Sequence, residues 1–320
     1  MRLLPSPIAE LVFRDRRRLA LERRLADAVL SGRPLAVVDV GSRGGIPEEL
    51  APIAPRVELI GFEADPGEAD RLNESARAAG LAHRFLPVAV AGSDGSRTLY
   101  VTRKPASASL LPPEQATYAR FPDADRVKVV REISLQTRAF GEVLRQEGFA
   151  PEMVKCDAQG LDGEILGSLS DEQWEGIVAV HVEINIARNY RGQASVGEVH
   201  GLLEENGLEL FSTRRYSARR AGFDSARLGT RGQIMELDSL YMRPGSDAPE
   251  RLAVVAALYR HYDFAHALLA GNPAAGIVEQ LAARRFPRMR QLFAVLADAG
   301  SRLAGSPPSP WDADGPHDWV

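Results

Sequence analysis

The chain is nearly without cysteine. Its 320 residues hold one, Cys156, which excludes an internal disulfide framework and a cysteine-rich zinc site. Lysine is almost as scarce. Three of the 39 basic residues are lysine (Lys104, Lys128, Lys155) and the rest are arginine, a bias that GC-rich coding produces by itself. An arginine cluster here is therefore weak evidence of phosphate binding. A large net charge is missing too: the formal value of −4 argues against a general nucleic-acid binder. No apolar run approaches the roughly 18 residues of a membrane span. The opening segment MRLLPSPIAELVFRDRRR is interrupted by charge before it reaches signal-peptide length. The expectation is a soluble, cytoplasmic protein with no nucleic-acid and no membrane partner. A homo-oligomer is compatible with this composition and not indicated by it.

What is present suits a globular core: 45% hydrophobic and 26% charged residues. Residues 8–31 carry Ile8, Leu11, Val12, Leu19, Leu25 and Val29 at helical spacing, and Ser31-Gly32-Arg33-Pro34 ends the pattern. From Leu35, short apolar runs alternate with helical segments. LAVVDVG is expected to be a strand feeding a helix through SRGGIPEEL. VELIGFEADP is a second strand and EADRLNESARAAG a helix. HRFLPVAV is one strand, and TLYVT another. Residues 103–126, with four prolines, form a loop holding one short helix. VVREISLQ, a helix at 139–148, PEMVKC, a helix starting at LDGEILGSL, and IVAVHVEIN follow. A helix at 195–206 then leads to LELFSTRRY and QIMELDSLYMRP. Alternating strands and helices imply a mainly parallel sheet, with an antiparallel finish because 213–232 lacks a helical pattern. The composition suggests four regions: an N-terminal helical segment (1–34), an α/β domain (35–244), an Ala/Leu-rich helical appendage (245–302) and a disordered tail (303–320).

Five clusters carry chemistry. Asp39-Val40-Gly41-Ser42-Arg43-Gly44-Gly45 ends the first strand, where glycines admit a close ligand and a following helix start would offer free N–H groups to an anion. The spacing is not the dinucleotide G-x-G-x-x-G. Glu63 and Asp65 end the second strand. An acid about 20 residues beyond a glycine turn is placed to accept from ribose hydroxyls, while Asp65 before Pro66 is also a good helix cap. Asp157 and Gln159 follow the strand VKC, where ligands of open α/β sheets bind; capping of the next helix is the competing role for Asp157. His181, Glu183 and Asn185 share one face of a strand by period-2 alternation, as a site or as a structural network. Arg214, Arg215, Arg219, Arg220, Arg227 and Arg231 form a basic loop, best read as a solvated surface. Ser107 and Ser109, in the proline-rich loop, are also placed to face the cleft, though the pattern has no specificity of its own.

Taken in order, DVGSRGG, GFEADP, PVAVAGSDGS, SASLL, VKCDAQGLDGEIL, VHVEINIARNYRGQ and DSLYMRP resemble the FkbM-type S-adenosylmethionine-dependent methyltransferases over residues 35–244. The resemblance implies a class I methyltransferase, Rossmann-like α/β fold: seven mostly parallel strands with an antiparallel last strand. It implies S-adenosyl-L-methionine as cofactor and O-methylation of a sugar or another small hydroxylated metabolite. Asp39, Gly41 and Gly45 would shape the methionine end, and Glu63 would hold the ribose, with Arg43, Asp65 and Gln159 beside the cofactor. Asp157, His181 and Glu183 are the catalytic candidates, His181 as base by its ordinary pKa with Asp157 as its rival. No metal is expected, since no third fixed oxygen ligand accompanies Asp157 and Glu183. Two departures stand out. Arg43 brings a cation to the site of a cationic cofactor, and Leu161 follows Gly160 where the family often has an acid. Two other functions remain open: a non-catalytic methyltransferase-like partner in a biosynthetic assembly, and a nicotinamide-dependent oxidoreductase.

Overall fold

The computed structural model describes residues 16–122, 124–222 and 230–283. The start of the first expected helix (8–15), the segment 284–302, the tail at 303–320 and Arg227 lie outside the described residues. Ten strands occur among them: β1 (Leu35–Val40), β2 (Val57–Phe62), β3 (His83–Leu86), β4 (Ala89–Ala91), β5 (Gly95–Thr102), β6 (Val129–Ala139), β7 (Met153–Cys156), β8 (Ala179–Asn185), β9 (Glu209–Ala218) and β10 (Gln233–Met242). Seven of them form one sheet in the order β3-β2-β1-β7-β8-β10-β9. Its strands pair in parallel from β3 through β8, and β10 runs antiparallel to both β8 and β9. This is the mostly parallel α/β sheet with an antiparallel last strand that the motif order implies.

Strand register explains where the sheet is apolar and where it is not. Successive side chains point to opposite faces. Leu35 and Val37 of β1, Met153 of β7, Ala179 of β8 and Leu240 and Met242 of β10 join one buried cluster. Val38, Val40, Val154, Cys156, Val180, Val182 and Ile184 join the other. The first face turns polar toward the carboxyl ends of the parallel strands. There Asp39 lies opposite Lys155, Lys155 opposite His181, Glu183 opposite Asp238, and Asn185 opposite Glu236.

The apolar half of that face is covered by the helices at Arg16–Val29, Pro249–Leu258, Tyr262–Leu268 and Ala275–Ala282. Every residue from Leu252 to Leu258 is buried there. The segment read as an appendage thus shares one core with β1 and the first helix.

Three local expectations need correction. No α-helix follows β1. The chain passes through turns and a 3-10 helix at Ala51–Arg56, because positive φ at Gly44 and Gly45 and prolines at 47, 52 and 55 prevent a continuous helix. The single strand expected at HRFLPVAV is two strands in different sheets. Pro87 lacks the N–H to continue a ladder, and β4 pairs with β6 in a three-stranded sheet ordered β4-β6-β5. The basic loop is shorter than expected, since β9 runs to Ala218 and carries Arg214 and Arg215 as half of a hairpin with β10.

Glu152, just before β7, ties three parts of the chain. It accepts from Arg33 (2.7 Å), from the Ala36 amide of β1 (3.0 Å) and from Arg251 of the helix at Pro249–Leu258. Arg251 also donates to the carbonyls of Arg33 and Pro34. Removing one partner of a buried ion pair leaves the rest unsatisfied. Glu152→Ala is expected to lower the urea-unfolding free energy by about 3 kcal/mol, while Glu58→Ala on the exposed side of β2 should change it by less than about 0.5 kcal/mol.

Candidate functional site

Two cavities meet at the carboxyl ends of β1, β2, β7 and β8. The larger, about 680 Å³, is bounded by Gly41 and Arg43 after β1, Glu63 and Asp65 after β2, Val88–Val90 and Asp157–Gln159. Leu99, Val101, Ile133 and Leu135 of the small sheet form its apolar wall. The smaller, about 280 Å³, is polar: Lys155, Asp157, His181, Glu183, Arg214, Glu236 and Asp238 line it with Glu48, Glu49, Cys156 and Tyr216. Asp157 is common to both.

The contact between the loops after β1 and β7 is close. Gly41 sits at φ +79°, and a Cβ there would lie 2.2 Å from the Asp157 carbonyl oxygen, so only glycine fits. The Gly41 and Ser42 amides both donate to the Phe62 carbonyl at 3.1 Å. They are spoken for, and with no helix start behind them the expected anion cradle is not formed.

Glu63 is buried at the end of β2. One carboxylate oxygen accepts from the Asp65 amide at 2.9 Å, and the other lies 3.6 Å from Arg43 Nε. Burial raises its pKa, partly offset by the Asp65 amide and by Arg43. Asp65 does cap its helix, accepting from Gly67 (3.0 Å) and Glu68 (3.5 Å), and it still borders the large cavity. Arg43 turns to these two acids, 3.3 Å from Asp65. Asp39 and Gly45 border neither cavity. Asp39 is buried 3.4 Å from Lys155 Nζ, and burial, which outweighs the lysine, lifts its pKa to about 6.

The capping role weighed for Asp157 is not filled: no side chain caps the helix at Asp162–Leu166. Asp162 accepts instead from the Ala158 and Gly160 amides of the preceding loop (2.8 and 3.1 Å). The Asp157 carboxylate borders both cavities. Gln159 holds a rare positive φ of +52°. Its amide nitrogen donates to Asp157 (2.8 Å) and to Glu183 (3.0 Å). Tyr190 donates to its amide oxygen at 2.7 Å, and Ser109 Oγ to its carbonyl at 2.9 Å.

His181 lies deeper. Its Nδ1 is 2.9 Å from the Tyr259 hydroxyl, the rings meet edge-on, and burial lowers its pKa. Glu183 is raised well above the ordinary range, first by burial and then by Asp157, Glu236 and Asp238. Arg214 pairs with Asp238 at 3.2 Å. Asn185 joins Asn189 rather than either cavity. Among the described residues no cluster is arranged to hold a metal, and no helix is long and apolar enough to cross a membrane.

The structure therefore groups Gly41, Arg43, Glu63, Asp65, Asp157 and Gln159 around one cavity. His181 and Glu183 line its neighbour. Sequence reasoning passed over Lys155, Tyr190, Glu236 and Asp238. Lys155 could have been found as one of three lysines, placed in an apolar strand, and Glu236 and Asp238 from the period-2 acids of QIMELDSLYM.

No protein-family model matches the chain, and no curated protein matches it. Solved structures similar to it include the SAM dependent methyltransferase from Agrobacterium tumefaciens, at 14% identity and a TM-score of 0.34, covering 71% of this chain and 62% of that one. Others are magnesium protoporphyrin IX methyltransferase from Synechocystis PCC 6803 with bound SAM (12%, 0.32, covering 71% and 79%) and Streptococcus pneumoniae Sp1610, a putative tRNA (m1A22) methyltransferase (12%, 0.34, covering 81% and 98%). At these identities and scores nothing about the reaction of this chain follows from them.

The buried carboxylates make stability depend on pH. Burial raises Asp39 to about 6 and Asp162 to about 7. A carboxyl with a raised pKa binds its proton more tightly folded than unfolded, so its contribution is complete below about pH 4 and is lost as pH rises through the folded value. Urea unfolding at pH 5 and pH 7.5 should show a decline from these groups, and Asp162→Asn should flatten it.

Proposed function

We propose that the chain is an S-adenosylmethionine-dependent methyltransferase that O-methylates a small hydroxylated acceptor, of which a sugar is the leading class. The observation that carries this is the sharing of Asp157 by two cavities of opposite character. One is long enough and apolar enough for a nucleoside, and the other suits a polar acceptor.

The residues fit the cofactor. Gly41 lets the loops after β1 and β7 close on each other, so that it and Asp157 border the large cavity together. Glu63 offers a buried carboxylate to ribose hydroxyls. The small sheet supplies an apolar wall, and Asp157 favours a nearby positive charge. Gly41, Glu63, Asp65 and Gln159 would hold S-adenosylmethionine, which when bound supplies a methyl group activated on a sulfonium.

The chain then has three tasks. Its cavity walls exclude water and align acceptor with donor, an effect worth roughly 7–11 kcal/mol in favourable cases. The carboxylates of the small cavity accept from acceptor hydroxyls, which favours an uncharged, hydroxyl-bearing molecule. Asp157, at the junction, is placed to take the proton of the acceptor hydroxyl. Glu183 orients the acceptor, and His181, kept neutral by burial, borders it from within.

Calorimetric titration with S-adenosylhomocysteine tests this reading. Binding with thermal stabilisation supports it. No heat at millimolar ligand, or stabilisation by NADH instead, overturns it. Incubation with labelled methyl donor and extract of the source cell then identifies the acceptor by mass spectrometry.

Glu63→Ala should weaken S-adenosylhomocysteine roughly ten- to a hundredfold, the value of one charged hydrogen-bond partner. Arg43→Ala should act in the opposite sense. The guanidinium competes for Glu63 and Asp65, and its removal should strengthen binding about two- to fivefold, the worth of an exposed ion pair.

A further inference from the structure

The junction between the cavities depends on which way one amide faces. Gln159 presents its –NH2 to two carboxylates at once, Asp157 at 2.8 Å and Glu183 at 3.0 Å. Turned over, the same side chain would set its oxygen against both of them. Carboxylates can only accept when ionised, so the turned amide would require a proton on one of them. What opposes the turn is the Tyr190 hydroxyl, which donates to Gln159 Oε1 at 2.7 Å. Tyr190 is 2% exposed, so its ring has no freedom to follow. The backbone at 159 is held separately by Ser109.

We propose that Tyr190 is a positioning residue: it fixes the Gln159 amide so that Asp157 and Glu183 are both held as hydrogen-bond acceptors where the two cavities meet. This deepens the methyltransferase reading and rests on it for its purpose. Asp157, the proposed base, is held toward the acceptor with Glu183 beside it. The contacts themselves stand without that reading. The Tyr190 hydroxyl also lies 3.2 Å from the Ser107 carbonyl and is hydrogen-bonded with Tyr118, and none of these contacts closes off Asp157 or Glu183, which still line the small cavity.

The proton affinity of Glu183 reports the arrangement. Glu183 faces Asp157, Asp162, Glu236 and Asp238. Lys155 and His181 from β7 and β8, Arg214 and Tyr216 from β9, and Glu48 and Glu49 from the loop after β1 line the same cavity. All of these are unchanged in Tyr190→Phe, which deletes one hydroxyl. The full-length chain carrying 13C-carboxyl glutamate is titrated by NMR, with Glu183→Gln assigning the signal. Tyr190→Phe is expected to move the Glu183 midpoint to higher pH, about a tenfold gain in proton affinity for one lost charged hydrogen bond. Gln159→Met, which leaves Tyr190 in place, is expected to move it in the same direction. Tyr190→Phe added to Gln159→Met should do nothing further, because the hydroxyl acts only through the amide.

A midpoint unchanged in Tyr190→Phe, or an undiminished Tyr190→Phe effect in the Gln159→Met background, overturns the proposal. Should Tyr190→Phe fail to fold, an unchanged Gln159→Met midpoint overturns it. S-adenosylhomocysteine titration of the unaltered chain separates the two claims: its failure removes the methyltransferase reading and leaves the Glu183 comparison intact.

Discussion

The contact of Gly41 with the Asp157 carbonyl is the constraint on which the site depends. Two adjacent parallel strands end side by side, and their loops turn over each other at a distance no side chain permits. The Asp157 amide donates to the Val40 carbonyl at 3.1 Å, extending the β1–β7 ladder by one bond. The two loops then part, one toward Glu63 and the other toward Glu183. Both cavities open from that point. Strand pairing, which the fold requires anyway, thus places the residues that ligands would meet.

Polar residues enter this buried sheet at one place. The face that packs under the helices at 16–29 and 249–282 is apolar along the first half of each strand and charged along the second. Burying so many ionisable groups is costly unless they are paired or hydrogen-bonded. Lys155 stands between Asp39 and Asp157, Arg214 meets Asp238, and Gln159 bridges Asp157 and Glu183. Raised carboxyl pKa values at Asp39, Asp162, Glu183 and Glu236 show that the compensation is incomplete. Such unrelieved charge is a mark of functional sites. Here it gathers where two cavities adjoin.

Arg43 illustrates how a residue type can mislead. Beside a cationic ligand, a guanidinium is out of place on charge alone. Here it pairs with Glu63 and Asp65, so its charge is spent on the two acids at the end of β2. The three-stranded sheet is the other feature without a forerunner in the motifs, although it makes the apolar wall opposite them.

The sequence by itself determined most of the element order, the strand ends that border the two cavities and three of the acids there, Glu63, Asp157 and Glu183. Period-2 alternation and strand–turn–helix punctuation are local, so one chain displays them. It also showed that Asp65 could cap a helix. It misjudged the turn after β1, where glycines and prolines favour turns over a helix, and the run at 83–90, where Pro87 separates two sheets. Tertiary structure alone decided that Asp162 holds the amides of the loop after β7 while Asp157 caps no helix, and that Asn185 turns to Asn189. It alone brought Tyr190, Ser109, Glu236 and Asp238 to Gln159 and Glu183. Those partners lie from 31 to 55 residues away in the chain, and no local pattern records contacts that form only when distant loops and β10 come together beside β7 and β8.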